Sequence, residues 1–216
     1  MKLINSFGPN PRLVRMFMRE KGITLPSEEV DLLGGENRQS AYLAKNPGGQ
    51  MPALELDDGS CIAETTVICE YLEERHPQPP LIGATAAARA KNRMWLRRIE
   101  LNITEHMYNG FRFAEGFELF KNRLHCIPAA AADLKATAQE WLGRLDGLIA
   151  GRDYIAGDAL SLADIALYCC MDFAKDVGQP IDTGRKNIAA WFKRMDARPS
   201  AAASLHPACP QLKMRG

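Results

Sequence analysis

The segment from Asn46 to Leu72, NPGGQMPALELDDGSCIAETTVICEYL, is the most informative part of the sequence for the fold. Residues 53–56 have the pattern of a short strand, with alternation at Leu54, Glu55 and Leu56. Asp57-Asp58-Gly59 supplies a tight turn, and residues 60–63 form a second strand. Behind Glu64-Thr65 the apolar side chains repeat at helical spacing, at Val67, Ile68, Tyr71 and Leu72. The stretch therefore predicts a β-hairpin that leads directly into a helix.

The junction at Glu64-Thr65 has the chemistry to hold both charges of an α-amino acid. A helix start with free N–H groups and a Thr hydroxyl favours a carboxylate, and the Glu side chain favours an amine. Just before the hairpin, Met51 can present its backbone N–H and C=O to an extended peptide, as an added strand would. The alternative is that Glu64 and Thr65 only cap the helix.

The segment before this stretch completes one small domain. Residues 2–5 and 27–32 have strand character and flank an amphipathic helix predicted over Pro11 to Lys21. The order β-α-β then β-β-α is that of a thioredoxin-like fold. The proline-rich run HPQPPLIG, beginning at His76, cannot continue a helix and predicts a linker.

The second half of the chain has helical patterns without comparable strand signals. The predicted helices cover Ala87 to Glu115, Glu118 to Leu124, Ala129 to Ile149, Ser161 to Val177 and Lys186 to Ala197. Ser161 and Asp164 have the spacing of a capping box, which we interpret as structural. We therefore predict an α/β thioredoxin-like domain at 1–76, a linker at 77–84 and an all-α helical domain at 85–216.

Composition narrows the possible partners. The 27 basic and 26 acidic residues give a net charge of +1, without the basic stripe of a nucleic-acid binder. No apolar run reaches the roughly 18 residues of a membrane span, and the chain opens on a strand-like segment instead of a signal peptide. The six cysteines lack metal-ligand spacing. We expect a cytoplasmic protein with free thiols, no metal, no nucleic-acid partner and no membrane contact.

The hairpin stretch, with its QMPAL, DDG and AET segments, resembles the glutathione-binding half of cytosolic glutathione transferases. Further agreement comes in the expected order from Met1–Ser6, Gly22-Ile23, Val30–Leu32 and Ser161–Ile165. The resemblance covers about residues 1 to 200, whereas residues 204–216 have no clear counterpart. It implies a glutathione transferase fold, glutathione as co-substrate, a hydrophobic electrophile as second substrate, and a homodimer.

A glutathione transferase must hold the glutathione sulfur as a thiolate, although an ordinary thiol has a pKa near 8.5. Lowering that pKa by about two units requires about 2.7 kcal/mol of preferential stabilisation of the anion. The first helix start, GPNPR, predicts Asn10 as N-cap and Pro11 as first helical residue. Pro9-Asn10 resembles bacterial transferases similar to the nu class, which implies that the Asn10 amide donates to the sulfur. Ser6 is the second candidate.

The same comparison assigns the remaining contacts to glutathione. It implies Asn37 and Gln50 at the glycine end, with Arg38 as an alternative, each otherwise an exposed polar loop residue. It places the Met51 backbone against the peptide, with Pro52 as a cis proline, and Glu64 and Thr65 at the γ-glutamyl end. Tyr108 and Phe111 are the candidates for the electrophile site, although aromatic side chains at helical spacing are more typical of a core.

The predicted activity is conjugation of the glutathione thiolate to small apolar electrophiles. Two alternatives remain open. One is a glutathione-dependent reductase of disulfides or peroxides, and the other is a non-catalytic interaction module with a transferase-like fold.

Overall fold

The hairpin stretch supplies two strands of a four-stranded mixed sheet in the computed structural model, which describes residues 1–216. The strands are β1 (Lys2–Asn5), β2 (Ser27–Glu29), β3 (Ala53–Glu55) and β4 (Cys61–Ile62). Their order in the sheet is β2-β1-β3-β4, with β1 parallel to β2 and antiparallel to β3, and β3 antiparallel to β4. The predicted thioredoxin-like arrangement is confirmed.

Helices make up most of the remaining structure. They are α1 (Pro9–Glu20), α2 (Ser40–Leu43), α3 (Thr65–Arg75), α4 (Ala86–Ile99), α5 (Glu105–Arg112), α6 (Phe117–Phe120), α7 (Ala131–Leu148), α8 (Leu162–Ala174), α9 (Lys186–Asp196), α10 (Pro199–Ala203) and α11 (Cys209–Leu212). A π-helical segment, Glu100–Thr104, separates α4 from α5. None of these helices combines the length and the apolar character needed to cross a bilayer.

The chain divides into two compact units. The first contains Met1–Leu81 together with Pro199–Gly216, and the second contains Ile82–Arg198. The predicted division at 76 and 85 lies close to the first boundary, but it assigned residues 199–216 to the helical domain. In the structure these residues pack with the sheet-containing unit.

Two arginines of α1 hold this C-terminal segment in the first unit. The Arg12 side chain is fully buried and donates to the Ala201 carbonyl at 3.0 Å and to the Ser204 hydroxyl at 3.3 Å. Arg15 donates from Nε to the Ser204 carbonyl at 2.9 Å. A buried guanidinium requires such acceptors because leaving it without them would be costly. The contacts span about 190 residues of sequence, so no local pattern predicts them.

The second unit is built around α8, in which every residue from Leu162 to Ala174 is buried. Its predicted capping box is present: the Asp164 carboxylate accepts from the Ser161 backbone N–H at 3.0 Å. All six cysteines of the chain are free thiols.

Candidate functional site

The register of the sheet brings three loops to one end of it. Ile4, near the end of β1, pairs with Ala53 at the start of β3, and Leu54 pairs with Ile62 at the end of β4. The loops after β1, before β3 and after β4 therefore leave the sheet on the same side. Neighbouring strands are about 4.8 Å apart, so the loops converge within about 10 Å. These loops contain most of the predicted glutathione ligands.

The loop after β4 ends in a strained residue at the start of α3. Glu64 has φ 68° and ψ 119°, a conformation that non-glycine residues adopt only at a cost of about 1–3 kcal/mol. Its carbonyl accepts the Ile68 N–H at 2.9 Å, which makes Glu64 the N-cap residue by backbone geometry. Backbone strain of this kind persists only where the surrounding contacts enforce it, and strained residues cluster at active sites and ligand-binding sites.

The side chains at this helix start do not cap it. Neither Glu64 nor Thr65 makes a side-chain hydrogen bond to the first turn of α3. Glu64 is exposed and Thr65 is half-buried as the first helical residue, beside backbone N–H groups that have no helical partner. The capping alternative therefore does not describe this junction, and a carboxylate, a hydroxyl and free N–H donors remain available together.

The loop before β3 presents an unpaired backbone edge. The Met51–Pro52 peptide bond is cis. The Gln50 carbonyl accepts from the Tyr42 hydroxyl and from Asn46 Nδ2, which holds this turn in place. The Met51 side chain is buried in the core, but its backbone N–H and C=O take part in no backbone hydrogen bond. An extended peptide can pair with them as an added strand does.

Asn37 differs from the exposed loop residue that its sequence context suggests. It is 2% exposed, and its Nδ2 donates to the Gly49 carbonyl at 2.6 Å, while its buried Oδ1 has no hydrogen-bond partner. Asn37 therefore orders the Gly49-Gln50 turn from inside. Arg38 is exposed, and its guanidinium lies beside Gly49, 2.9 Å from the position that a Cβ on this glycine would take. Arg38 therefore places a positive charge beside the Gly49-Gln50 turn.

The first helix begins two residues earlier than predicted. Gly8 is the N-cap of α1, because its carbonyl accepts the Arg12 N–H at 3.1 Å, and the helix starts at Pro9. Asn10 is therefore the second helical residue and not the N-cap. Both Pro9 and Pro11 are compatible with a first helical turn, so sequence alone did not decide between the two starts.

The start of α1 has few free hydrogen-bond donors, and the side-chain amide of Asn10 supplies most of them. Pro9 and Pro11 have no N–H, and the half-buried Asn10 side chain makes no hydrogen bond within the chain. Ser6, by contrast, is 2% exposed and donates its hydroxyl to the Val30 carbonyl at 2.9 Å. The hydroxyl of Ser6 holds β1 to the segment after β2, whereas the Asn10 amide is available to a ligand.

Arg15, which sequence analysis did not single out, fixes the loop between β1 and α1. Its Nη1 donates to the Ser6 carbonyl at 2.9 Å and to Asn5 Oδ1 at 2.7 Å. The sequence signal for this role is the position of Arg15 among the apolar residues of an amphipathic helix, where an arginine needs buried acceptors.

The two aromatic candidates lie in the second unit. Tyr108 is 7% exposed and packs edge-to-face on Phe173, and burial raises the pKa of its hydroxyl well above the ordinary value. Phe111 packs edge-to-face on Phe173 and Phe120. A separate apolar cavity of about 370 Å³ in this unit includes Trp95 and Trp141 among its lining residues, but neither Tyr108 nor Phe111.

Known proteins are similar to this chain in sequence and in architecture. Residues 5–80 match the model of the glutathione S-transferase N-terminal domain, and residues 124–199 match that of the C-terminal domain. Glutathione S-transferase 2 of Saccharomyces cerevisiae is 32% identical over 200 residues, which cover 89% of this chain and 84% of that protein. Maleylacetoacetate isomerase of Pseudomonas aeruginosa is 32% identical, covering 92% and 88%.

Solved structures with the same fold come from similar proteins. The crystal structure of Gtt2 from Saccharomyces cerevisiae has a TM-score of 0.88 and 31% identity, and the match covers 95% of this chain and all of that chain. The predicted family and fold are confirmed, while the finer likeness of Pro9-Asn10 to the nu class stays a prediction. The chain therefore belongs to the glutathione S-transferase family of glutathione-dependent enzymes.

Proposed function

We propose that this protein conjugates the glutathione thiolate to small apolar electrophiles. The observation that supports it best is the convergence of three binding groups at one end of the sheet. These groups are the uncapped Glu64-Thr65 helix start, the unpaired Met51 backbone and the unbonded Asn10 amide. Each of them suits a different part of one tripeptide.

In this proposal the γ-glutamyl end is recognised twice, through its amine and through its carboxylate. Its amine pairs with Glu64, and its carboxylate accepts from the Thr65 hydroxyl and the free N–H groups of α3. The cysteinyl backbone pairs with Met51. The glycine carboxylate lies against Gln50 and Arg38, in a turn that Asn37 orders.

The sulfur end then meets the first turn of α1. The Asn10 amide donates to the sulfur, and the positive end of the helix dipole also favours the thiolate. The thiolate attacks the electrophilic carbon of the second substrate and displaces its leaving group, so that the sulfur forms the new bond. For the electrophile we retain Tyr108 and Phe111 as candidate contacts.

Calorimetric titration with reduced glutathione tests the binding site directly. We expect heat of binding and retention on immobilised glutathione, followed by elution with free glutathione. A protein that binds no glutathione in either assay would be a non-catalytic interaction module, and the proposed function would be wrong.

Reduction of disulfides or peroxides is the second candidate. The resemblance at Asn10 favours it, and the absence of any cysteine from the first sixty residues permits it, because glutathione would then supply every reacting thiol. Turnover of 1-chloro-2,4-dinitrobenzene against that of 2-hydroxyethyl disulfide separates the two activities. Faster turnover of the disulfide, with little conjugation of the aryl chloride, would favour the reductase.

We further propose a cytoplasmic homodimer, on the basis of the family resemblance. Light scattering should return twice the chain mass of 23.9 kDa. A mass of one chain at micromolar concentration would contradict the dimer without affecting the glutathione site.

A further inference from the structure

Two neighbouring carbonyls in the turn before β3 are held by side chains from one earlier segment of the chain. The Gly49 carbonyl accepts from Asn37 Nδ2, and the Gln50 carbonyl accepts both from the Tyr42 hydroxyl and from Asn46 Nδ2 at 2.9 Å. Tyr42 and Asn46 are 5% and 6% exposed. We call these two residues the bracket. Because both donate to the same carbonyl from inside the unit, they fix the direction in which it points.

Asn46 holds the turn through more than its amide nitrogen. Its Oδ1 accepts the Gly48 N–H at 3.1 Å, and its backbone carbonyl accepts the Gly49 N–H at 2.9 Å. Gly49 is in the left-handed conformation with φ 61°, which glycine adopts without steric cost. The side chain and the backbone of Asn46 therefore close the turn over Gly48, Gly49 and Gln50.

The Tyr42 ring connects the turn to the core of the sheet-containing unit. Tyr42 lies in one apolar cluster with Ile4, Met51 and Ala53, so its ring packs with the residue that follows the Gln50 carbonyl. Burial raises the pKa of the Tyr42 hydroxyl above its ordinary value. The hydroxyl therefore stays protonated, and remains a hydrogen-bond donor, across the neutral pH range.

The bracket occupies one polar group of the turn and leaves others to a ligand. The Gln50 carbonyl accepts from two donors and is saturated, since a carbonyl oxygen has two lone pairs. The Gln50 N–H and the Met51 N–H and C=O make no hydrogen bond within the chain. An extended peptide can therefore pair only with the groups that the bracket leaves unbonded.

We propose that Tyr42 and Asn46 are positioning residues for glutathione, which hold the Gln50-Met51 backbone in the orientation that the cysteinyl-glycine part requires. This inference rests on the proposed function, because the glutathione peptide is what pairs with Met51. Both residues act through the Gln50 carbonyl, and neither contacts the ligand. A turn that is already ordered loses little conformational freedom on binding, so the bracket increases affinity without a ligand contact of its own.

The first experiment compares the affinity of full-length variants for reduced glutathione by calorimetry. Tyr42→Phe removes the hydroxyl and keeps the ring in the apolar cluster, and Asn46→Ala removes the other donor to Gln50. We expect the dissociation constant to rise about threefold to tenfold in each variant, as the loss of one hydrogen bond predicts. Tyr154→Phe is the matched control: its hydroxyl accepts from Arg198 at 3.0 Å in the helical unit, and the variant should bind as the wild type does.

Two further measurements distinguish positioning from a general effect on the fold. At saturating glutathione, ultraviolet absorbance against pH should give the same thiolate pKa in Tyr42→Phe as in the wild type, because the Asn10 amide is unchanged. The double variant of Tyr42 and Asn46 should depart at least about twofold from the product of the two single effects, because both residues donate to one carbonyl. Tyr42→Phe and Glu64→Ala should multiply, because Glu64 binds the opposite end of the tripeptide.

The outcomes separate this inference from the proposed function. Wild-type affinity in both bracket variants would refute the bracket and leave the glutathione site standing, and either variant decides alone if the other does not fold. An equal loss of affinity in Tyr154→Phe, or a shifted thiolate pKa in Tyr42→Phe, would also refute it, because the effect would then not be confined to the turn. If the wild type binds no glutathione, the proposed function is wrong and the bracket is wrong with it.

Discussion

The starts of α8 and α3 show how differently two helix N-termini can be used. At α8, the Asp164 carboxylate is fully buried and accepts from the Ser161 N–H and hydroxyl, the Ile155 N–H and the Trp191 indole. At α3, the Glu64 carboxylate is exposed and caps nothing. The polar groups at the start of α8 stabilise the fold, whereas those at the start of α3 remain available for a ligand.

The electrostatics of the α8 start fit a structural role. Burial raises the pKa of the Asp164 carboxyl above its ordinary value, and the hydrogen bonds from Ile155, Ser161 and Trp191 oppose that rise. A buried carboxylate with every donor directed at it cannot reach a substrate. Removing this carboxylate would leave buried donors unpaired, so a substitution here lowers the stability of the fold.

The largest effect that follows from this comparison is on folding. We expect Asp164→Ala to lower the free energy of unfolding by about 3–5 kcal/mol, because it leaves several buried donors unpaired. Urea unfolding followed by circular dichroism measures it. Exposed Asp158 provides the control, and Asp158→Ala should change stability by less than about 0.5 kcal/mol. A loss below about 1 kcal/mol in Asp164→Ala would show that the start of α8 is not structural in this sense.

The matching change at α3 should affect binding and not folding. Glu64→Ala removes the partner of the glutathione amine, and a hydrogen bond between charged groups contributes about 1.5–3 kcal/mol. We expect glutathione affinity to fall roughly tenfold to a hundredfold by calorimetry. Glu74→Ala, an exposed change on the same helix, should bind as the wild type does. Unchanged affinity in Glu64→Ala would remove this residue from the site.

A third helix start, that of α1, allows a test on the sulfur. Asn10→Ala removes a donor to the thiolate, so the pKa of bound glutathione should rise by about one unit, equivalent to about 1.4 kcal/mol. Ultraviolet absorbance of the thiolate against pH measures this. Ser6→Ala should leave that pKa unchanged, because the Ser6 hydroxyl donates to Val30. The reverse result would exchange the roles of the two residues.

The smallest effect comes from relieving the strain at α3. Glycine accepts a positive φ, so Glu64→Gly should raise the free energy of unfolding by about 1 kcal/mol while glutathione affinity falls. For a chain of this size the melting temperature should rise by about 2–4 °C. If stability falls instead, the conformation of Glu64 is not strained and the contrast with α8 weakens.

Much of the fold was predictable because it depends on local patterns. The turn at Asp57-Asp58-Gly59, the strands on either side of it and the capping box at Ser161 follow from neighbouring residues. Other predictions needed correction: a single helix over Ala87 to Glu115 is interrupted by the π-helical Glu100–Thr104 segment, and α5 ends at Arg112. Apolar periodicity predicts a helix over a long stretch but does not fix the hydrogen-bond spacing within one turn, and π-helical segments occur as single turns inside α-helices.

The candidate site was predicted less completely than the fold. Residue type indicated Glu64, Thr65 and Met51, but it did not indicate which side chains would be left without partners. Asn37 illustrates the difference, since its burial and its contact with Gly49 depend on how two loops pack. Hydrogen-bond satisfaction is a property of the packed structure and not of a segment.

The sequence alone predicts a β-hairpin, a helix start at Glu64-Thr65 and a series of amphipathic helices, because hydrophobic periodicity and turn chemistry act over a few residues. Tertiary structure decided that residues 199–216 join the sheet-containing unit, that Ser6 is occupied while Asn10 is not, and that Gly216 rests on Gly8. Those outcomes depend on buried arginines and close backbone contacts between segments about 200 residues apart, and such distances in sequence leave no local pattern.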